Sequence, residues 1–381
     1  MSPSGGSLGQ PAGGETDPDA DRDPALPPVR HLLRRILLGI GALLVVAFMV
    51  LSLTAELRKG STIAESLGRI SPWWFLVVAL GSVGLMVMTT STTAAPLPSL
   101  SFAAAFVCQH SSQAVGNLIP GPSAMAVRYA LVRSYGVGAE DFARATITVS
   151  MLSSLMITAM PLLGIVALTL AQQSDSDATS LLPLAIGATL LSLVSVGGAV
   201  AVLRSSGFTV WLARRYGRIA NWVRHRLHRH RRDLTVTEHV ALQGRARLIA
   251  GLRASGTRVL AFVAALYWAN GLLLVVCLWA AGVPTAELGL VGGLAVYTVG
   301  RLSTLVQVTP GGIGVVEVAY TAAYTAFLGS QYQPQVLSGV ILYRLGTYLL
   351  PIVVGAVTGA YWGLTRRRRD RHHIGVQEAS G

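Results

Sequence analysis

The stretch Val308 to Tyr320 reads VTPGGIGVVEVAY, and it places a helix breaker and an acid inside an apolar run. Pro310 lacks an N–H donor and cannot continue the helix before it. Gly311, Gly312 and Gly314 let another group approach the backbone closely. A helix beginning after them presents unpaired N–H groups and the positive end of its dipole, a seat for phosphate or carboxylate. The same glycines would serve as well in a tight turn whose small residues let helices pack. Taken alone, they do not separate the two readings.

Charge adds a second constraint. Arg301, Glu317 and Arg344 lie inside apolar segments, and Arg128 occupies the comparable helix of the first half, GNLIPGPSAMAVRYALVRSYG, with Asn117, Pro120 and Gly121. A charge at the bilayer centre costs about 2.5–3.5 kcal/mol even on the mild insertion scale. Such residues must therefore pair or line a wet cavity. Glu317 can pair with Arg344 or Arg301, and a purely structural ion pair would satisfy that need. Three arginines against one glutamate instead favour a polar midplane cavity with surplus positive charge, suited to an anionic headgroup. Gln113, Asn117, Asn270, Tyr297 and Gln307 are candidate lining groups, although each alone reads equally as an interhelical hydrogen bond. His110 reads as a satisfied buried histidine.

The elements that position these residues are membrane helices. Of 381 residues, 52% are hydrophobic and 12% charged, and mean hydropathy is +0.56, where a soluble domain carries roughly 25% charged residues. The chain is therefore an all-α polytopic membrane protein. Cys108 and Cys277 are the two cysteines, too few for a disulfide framework or a Cys-based metal site. Net charge is +13 and Lys59 is the one lysine. The arginines fall where cytoplasmic loops would lie, so nucleic acid is not the expected partner. The run VRHRLHRHRR has no Cys or acid to complete a metal-ligand set. Interleaved with Trp211, Leu212, Tyr216, Ile219, Trp222 and Val223, it reads as an amphipathic helix on the anionic inner leaflet, in preference to a plain solvated linker. There is no Walker loop, zinc motif or Asp-rich magnesium–diphosphate motif. Neither catalysis nor a cofactor is expected, and an ATP-driven pump would need a separate nucleotide-binding subunit.

Candidate spans are Ile36–Thr54, Trp73–Thr90, Leu100–Leu118, Ala145–Leu170, Leu181–Leu203, Val259–Ala281, Leu288–Val306 and Leu337–Leu364, with helices Ser123–Tyr135 and Ile313–Leu328 after the Pro-Gly breaks. Residues 1–29 read as a disordered cytoplasmic tail with no signal peptide. Residues 30–364 form the membrane domain, with repeat one at about 100–203, a basic cytoplasmic loop at 204–258 and repeat two at about 259–364. Residues 365–381 are a basic cytoplasmic tail. The loop Arg204–Arg258 carries thirteen arginines, four histidines and two acids. By the positive-inside rule it faces the cytoplasm, as do both termini. Parity then makes the two Pro-Gly hairpins, re-entrant or fully spanning, face opposite ways, which is the arrangement of an inverted repeat. Pro120-Gly121 and Pro310-Gly311 lie 190 residues apart, as do Pro161 and Pro351.

The pattern formed by Arg301, Pro310, Gly311, Gly312, Gly314, Glu317, Arg344 and Pro351 resembles the transmembrane region of bacterial lysylphosphatidylglycerol synthases, over roughly Ile36 to Leu364. The first-half element with Asn117, Pro120, Gly121 and Arg128 is also similar, although Pro122 stands where the second glycine would be. The resemblance implies lipid translocation in a bacterial plasma membrane. The soluble aminoacyltransferase-like domain of the complete synthases does not follow the last span here, so the synthase reaction is not expected. The expected cargo is a phospholipid or an isoprenoid-linked lipid carrying phosphate. Arg128, Arg301 and Arg344 would attract its headgroup, Glu317 would hold an arginine or meet a cationic headgroup, and the Pro-Gly-Gly N–H groups would cradle phosphate. Two rivals stand beside this: a secondary transporter of a small anionic solute, and a membrane accessory or scaffold subunit that does not transport. Homo-oligomerisation is left open.

Overall fold

Prolines and glycines mark most element boundaries. In the computed structural model, the described residues are 68, 70–119, 123–171, 182–227, 238–305 and 310–379, and all belong to the unit Val50–Gly381. The expected tail 1–29, the expected span Ile36–Thr54, and Pro120, Gly121 and Gln307 lie outside them. Helix α1 (Pro72–Ala94) begins on a proline in its first turn, where the missing N–H is no loss. Helix α2 (Phe102–Leu118) is capped by Ser101, which accepts from Ala104 N at 3.3 Å. Helix α3 (Ser123–Ser134) follows. Helix α4 (Ala139–Ala171) carries Glu140 and Asp141 in its first turn, where the dipole favours acids. Helices α5 (Leu182–Arg204) and α6 (Ser206–Leu227) lead to α7 (Glu238–Ala280), an unbroken helix of 43 residues.

Helix α8 (Leu290–Arg301) passes into a 3-10 turn, Leu302–Leu305. A second such turn, Pro310–Gly312, precedes α9 (Val315–Leu328). A last 3-10 turn, Ser330–Tyr332, opens α10 (Gln333–Arg344). A π-turn at Leu345–Leu349 then leads into α11 (Leu350–Ala379). Pro351 offers no N–H to the carbonyl four residues back, and the helix widens just ahead of it. Pro161 is absorbed inside α4. No strand occurs among the described residues.

Among the described residues, four stretches are long and apolar enough to cross a membrane: α1, residues Ala139–Ala167 of α4, α7, and the continuous run Ser330–Leu364. The chain is an all-α multi-pass membrane protein. Within the expected basic loop 204–258, residues 206–227 form a helix where the amphipathic one was expected, and residues 238–258 are helical as well, because their Arg-, Ala- and Leu-rich sequence is a good helix former and Leu248, Gly251 and Ser255 bury a seam on α7. The expected span Leu288–Val306 is shorter as an α-helix and ends at Arg301.

The larger apolar cluster joins α1, α4, α7, α8, α9 and α10, around Met160, Val263, Leu274, Leu278, Tyr297, Tyr320 and Leu342. A smaller one ties the α1–α2 connection to α2, α3 and the start of α4 through Leu97, Cys108, Val132 and Phe142. Helix α11 packs on α2 and α8 packs on α4. Both contacts use a glycine: a Cβ on Gly355 would strike the His110 carbonyl, and one on Gly164 would strike Thr298 and the Ala295 backbone. Close backbone approach through small residues is the usual means of helix association where lipid removes the hydrophobic drive.

Candidate functional site

The turn before α9 is left-handed at three glycines. Gly311, Gly312 and Gly314 have φ of 58°, 71° and 84°, a region that an L side chain enters only at a cost of about 1–2 kcal/mol. Gly311 has a further reason to lack a Cβ, which would overlap the Tyr348 ring. Glycine at these positions lets the chain reverse within a few residues and begin α9 against its neighbours.

Glu317 sits at the third position of α9, and its Oε2 accepts the Gly314 backbone N–H at 2.7 Å. This is the acidic half of a capping box; glycine at the N-cap has no side chain to complete the other half. Oε1 of the same carboxylate accepts from Arg344 Nε at 2.6 Å. Arg344 also donates to the Gly311 carbonyl at 3.0 Å. Its guanidinium lies 4.6 Å over the Tyr348 ring, and the Tyr348 hydroxyl donates to the Asn117 carbonyl at 2.9 Å. One arginine thus ties α10 to both ends of the Gly311–Glu317 turn. The tyrosine one helical turn further on ties that assembly to the end of α2, which packs against the Pro310–Gly312 turn. Asn117 enters through its backbone carbonyl. Of the two partners open to Glu317, the structure selects Arg344.

Arg301 lies in different surroundings. Its guanidinium is 4.9 Å over the Tyr267 ring and within electrostatic reach of Tyr297, Tyr320 and Tyr343 as well. Tyr297 and Tyr320 stack with ring centroids 5.8 Å apart, and Tyr343 meets Tyr320 edge-on at 6.2 Å. Tyr343 donates to Asn270 Oδ1 at 3.0 Å, and the Asn270 amide donates to the Leu266 carbonyl at 2.8 Å. Arg301 Nε and the Tyr297 hydroxyl are enclosed without a hydrogen-bond partner, and the Tyr320 hydroxyl, facing the Arg301 guanidinium, has no acceptor. No carboxylate pairs with Arg301 among the described residues.

Arg128 stands apart again. Its Nε donates to Ser112 Oγ at 3.1 Å, which joins α3 to α2, and no described carboxylate pairs with it. Gln113 makes only a long contact with Gln109, at 3.5 Å. His110 Nε2 meets Thr90 Oγ1 at 3.2 Å and the Met86 carbonyl at 3.3 Å. The three arginines thus have different direct partners, although Arg301 and Arg344 both lie within electrostatic reach of Tyr320 and Tyr343. Tyr348, Tyr267, Tyr320 and Tyr343 were not singled out from sequence. The available signal was helical spacing, since Tyr348 follows Arg344, and Arg301 follows Tyr297, by four residues on one face.

Near the other ends of α4 and α7 lies a small cavity of ≈ 90 Å³ bordered by Pro96, Pro98, Arg144, Thr148, Ser255 and Arg258. Arg144 there is paired with Asp141 at 2.6 Å. No group of three or more His, Cys, Asp or Glu residues able to hold a metal occurs among the described residues.

Set beside known proteins, no curated sequence gives a significant match. The family described as lysylphosphatidylglycerol synthase TM region matches residues 36–355, a stretch that includes every residue of the Glu317–Arg344 assembly and of the Arg301 surroundings. This membrane-embedded chain belongs to the lysylphosphatidylglycerol synthase transmembrane-region family.

Proposed function

We propose that this protein moves an anionic, phosphate-bearing lipid between leaflets by alternating access, without catalysing a chemical step. The observation that carries the reading is the meeting of the end of α2, just before the first Pro-Gly break, with the broken turn Pro310–Gly314, through Tyr348 and Asn117. Irregular backbone at membrane depth is tolerated where it is buried in protein or lines a cavity. Transporters built from repeats place substrate sites at such junctions. Charge supports a negative cargo: Arg344 takes the Glu317 carboxylate, while Arg301 and Arg128 have no described carboxylate. The paired contacts of α11 on α2 and α8 on α4 support two repeats offset by 190 residues.

The same reading puts the chain in a bacterial plasma membrane, with the arginine-rich helix α6 and both termini on the cytoplasmic side. Trp211, Leu212, Tyr216, Ile219 and Trp222 are exposed on α6, beside exposed Arg215 and Arg218. That combination suits an anionic inner leaflet.

The test is reconstitution into phosphatidylglycerol-containing vesicles with a fluorescent phosphatidylglycerol reporter and an impermeant quencher. Quenching beyond the outer-leaflet fraction is expected only with protein present. A rate equal to that of protein-free vesicles removes lipid translocation. Gradient-driven uptake of a soluble anion by the same vesicles would replace it with solute transport. Absence of both would leave a packing role for the charges.

A further inference from the structure

We infer that the donor cluster around Arg301 is an anion-binding chamber for a phosphate group, with Tyr297 and Tyr320 as its hydroxyl donors and Arg301 as its charge. The inference rests on the reading above that the cargo is anionic. It assigns the headgroup to this chamber and away from the Pro310–Gly314 turn, where Glu317 takes the Gly314 N–H and Arg344 takes the Gly311 carbonyl.

Three unmet donors converge here. Tyr297 and Tyr320 are each 0% exposed, and neither hydroxyl has an acceptor for its proton; the Tyr320 hydroxyl faces the Arg301 guanidinium, which can only donate. The Nε of Arg301 is enclosed and unpartnered too. All three groups lie together: the rings of Tyr297 and Tyr320 stack, and Arg301 is within electrostatic reach of both. An enclosed donor without an acceptor is unfavourable, and a guanidinium with no carboxylate among the described residues adds to the penalty at membrane depth. Water could satisfy the hydroxyls but would offer the guanidinium no counter-charge. An oxyanion satisfies both.

The chamber offers donors and no carboxylate among its described neighbours, which selects an acceptor-rich ligand and repels nothing negative. Arg301 is fixed from one side by the Tyr267 ring at 4.9 Å, so its orientation is set before a ligand arrives. Arg301 itself retains partial exposure, which makes its side the way in. The shared chemistry is a phosphate oxyanion; a lipid headgroup or free phosphate could supply it.

The decisive variant is Tyr297→Phe combined with Tyr320→Phe. It removes two buried hydroxyls that find no acceptor and keeps the stacked rings, so the thermal midpoint in detergent should hold or rise. Two titrations are then compared between wild type and this variant: inorganic phosphate against equal ionic strength of potassium chloride, and phosphatidylglycerol in nanodiscs, with Arg301→Gln as a second variant. Binding should weaken roughly tenfold for each donor lost, the size of one hydrogen bond to a charged group. If phosphatidylglycerol affinity falls while inorganic phosphate never binds, the ligand is the lipid headgroup. If both fall, free phosphate shares the chamber.

Unchanged affinity for both probes in both variants overturns the chamber, as does a chloride effect equal to that of phosphate. A lowered midpoint in the Tyr→Phe double variant also overturns it, because the hydroxyls would then have structural partners. The translocation assay separates the two readings. Wild type that binds through these residues but moves no lipid sinks translocation and keeps the chamber. Wild type that moves lipid, with both variants moving it at the wild-type rate, sinks the chamber alone.

Discussion

Arg344 and Arg301 are the same residue type, carried on two helices that both pack on α9 and each set against a tyrosine ring, yet they are handled in opposite ways. Arg344 has a carboxylate at 2.6 Å, a carbonyl at 3.0 Å and a ring at 4.6 Å. Arg301 has a ring at 4.9 Å and an enclosed Nε without a partner. The first arginine is consumed by architecture: it holds the Gly311 turn and the acid that caps α9. The second has no carboxylate partner among the described residues. The difference shows that intramembrane charge alone does not mark a ligand site; what matters is whether the protein has already answered the charge.

The strongest way to break this comparison is Glu317→Ala. It strips Arg344 of its counter-charge and Gly314 of its acceptor, and loss of one partner from a buried pair typically costs about 3–5 kcal/mol. The thermal midpoint in detergent should drop sharply; a midpoint within error of wild type would mean that Arg344 is not structural. Next is Gly311→Ala, which forces a side chain into φ of 58° and into the Tyr348 ring. A loss of about 2 kcal/mol is expected from backbone and overpacking together. In a Tyr348→Ala background the same substitution should cost measurably less, and simple additivity would argue against the contact.

A smaller effect is expected from Tyr348→Phe. It deletes only the hydrogen bond to the Asn117 carbonyl, about 1 kcal/mol, read in the same melt. The smallest effect belongs to Arg301→Met. Relief of a charge with no described carboxylate opposes the lost cation–π contact, each on the order of 1–3 kcal/mol, so the net change should be near zero. A destabilisation matching that of Arg344→Met would erase the distinction between the two arginines.

Much of the fold was legible because apolar run length and arginine placement are coarse, additive signals. Trp73–Thr90 and Ala145–Leu170 fall inside α1 and α4, and the break at Pro310 reads directly from residues that cannot continue a helix. The site was legible only in part. Glu317 and Arg344 stand 27 positions apart, and sequence leaves Arg301 as an equal partner for the acid; only the packing of α9 on α10 decides. Arg301 meets Tyr267 of α7 and Tyr320 of α9, contacts that no local spacing encodes. The helix hidden in the basic stretch 238–258 was missed for a related reason. Its buried seam at Leu248, Gly251 and Ser255 is narrow, and Gly251 shows its value only opposite Thr148 of α4.

The unbroken length of α7 has a mechanical consequence. At a rise of 1.5 Å per residue, Glu238 and Tyr267 are about 44 Å apart on one rod. Its basic end is bound to α6 by the Arg214–Glu238 pair at 3.1 Å, and further along it carries the ring beneath Arg301. No proline or turn interrupts the path, so the α6 contact and the ring under Arg301 are carried on one continuous helix, the arrangement of a lever.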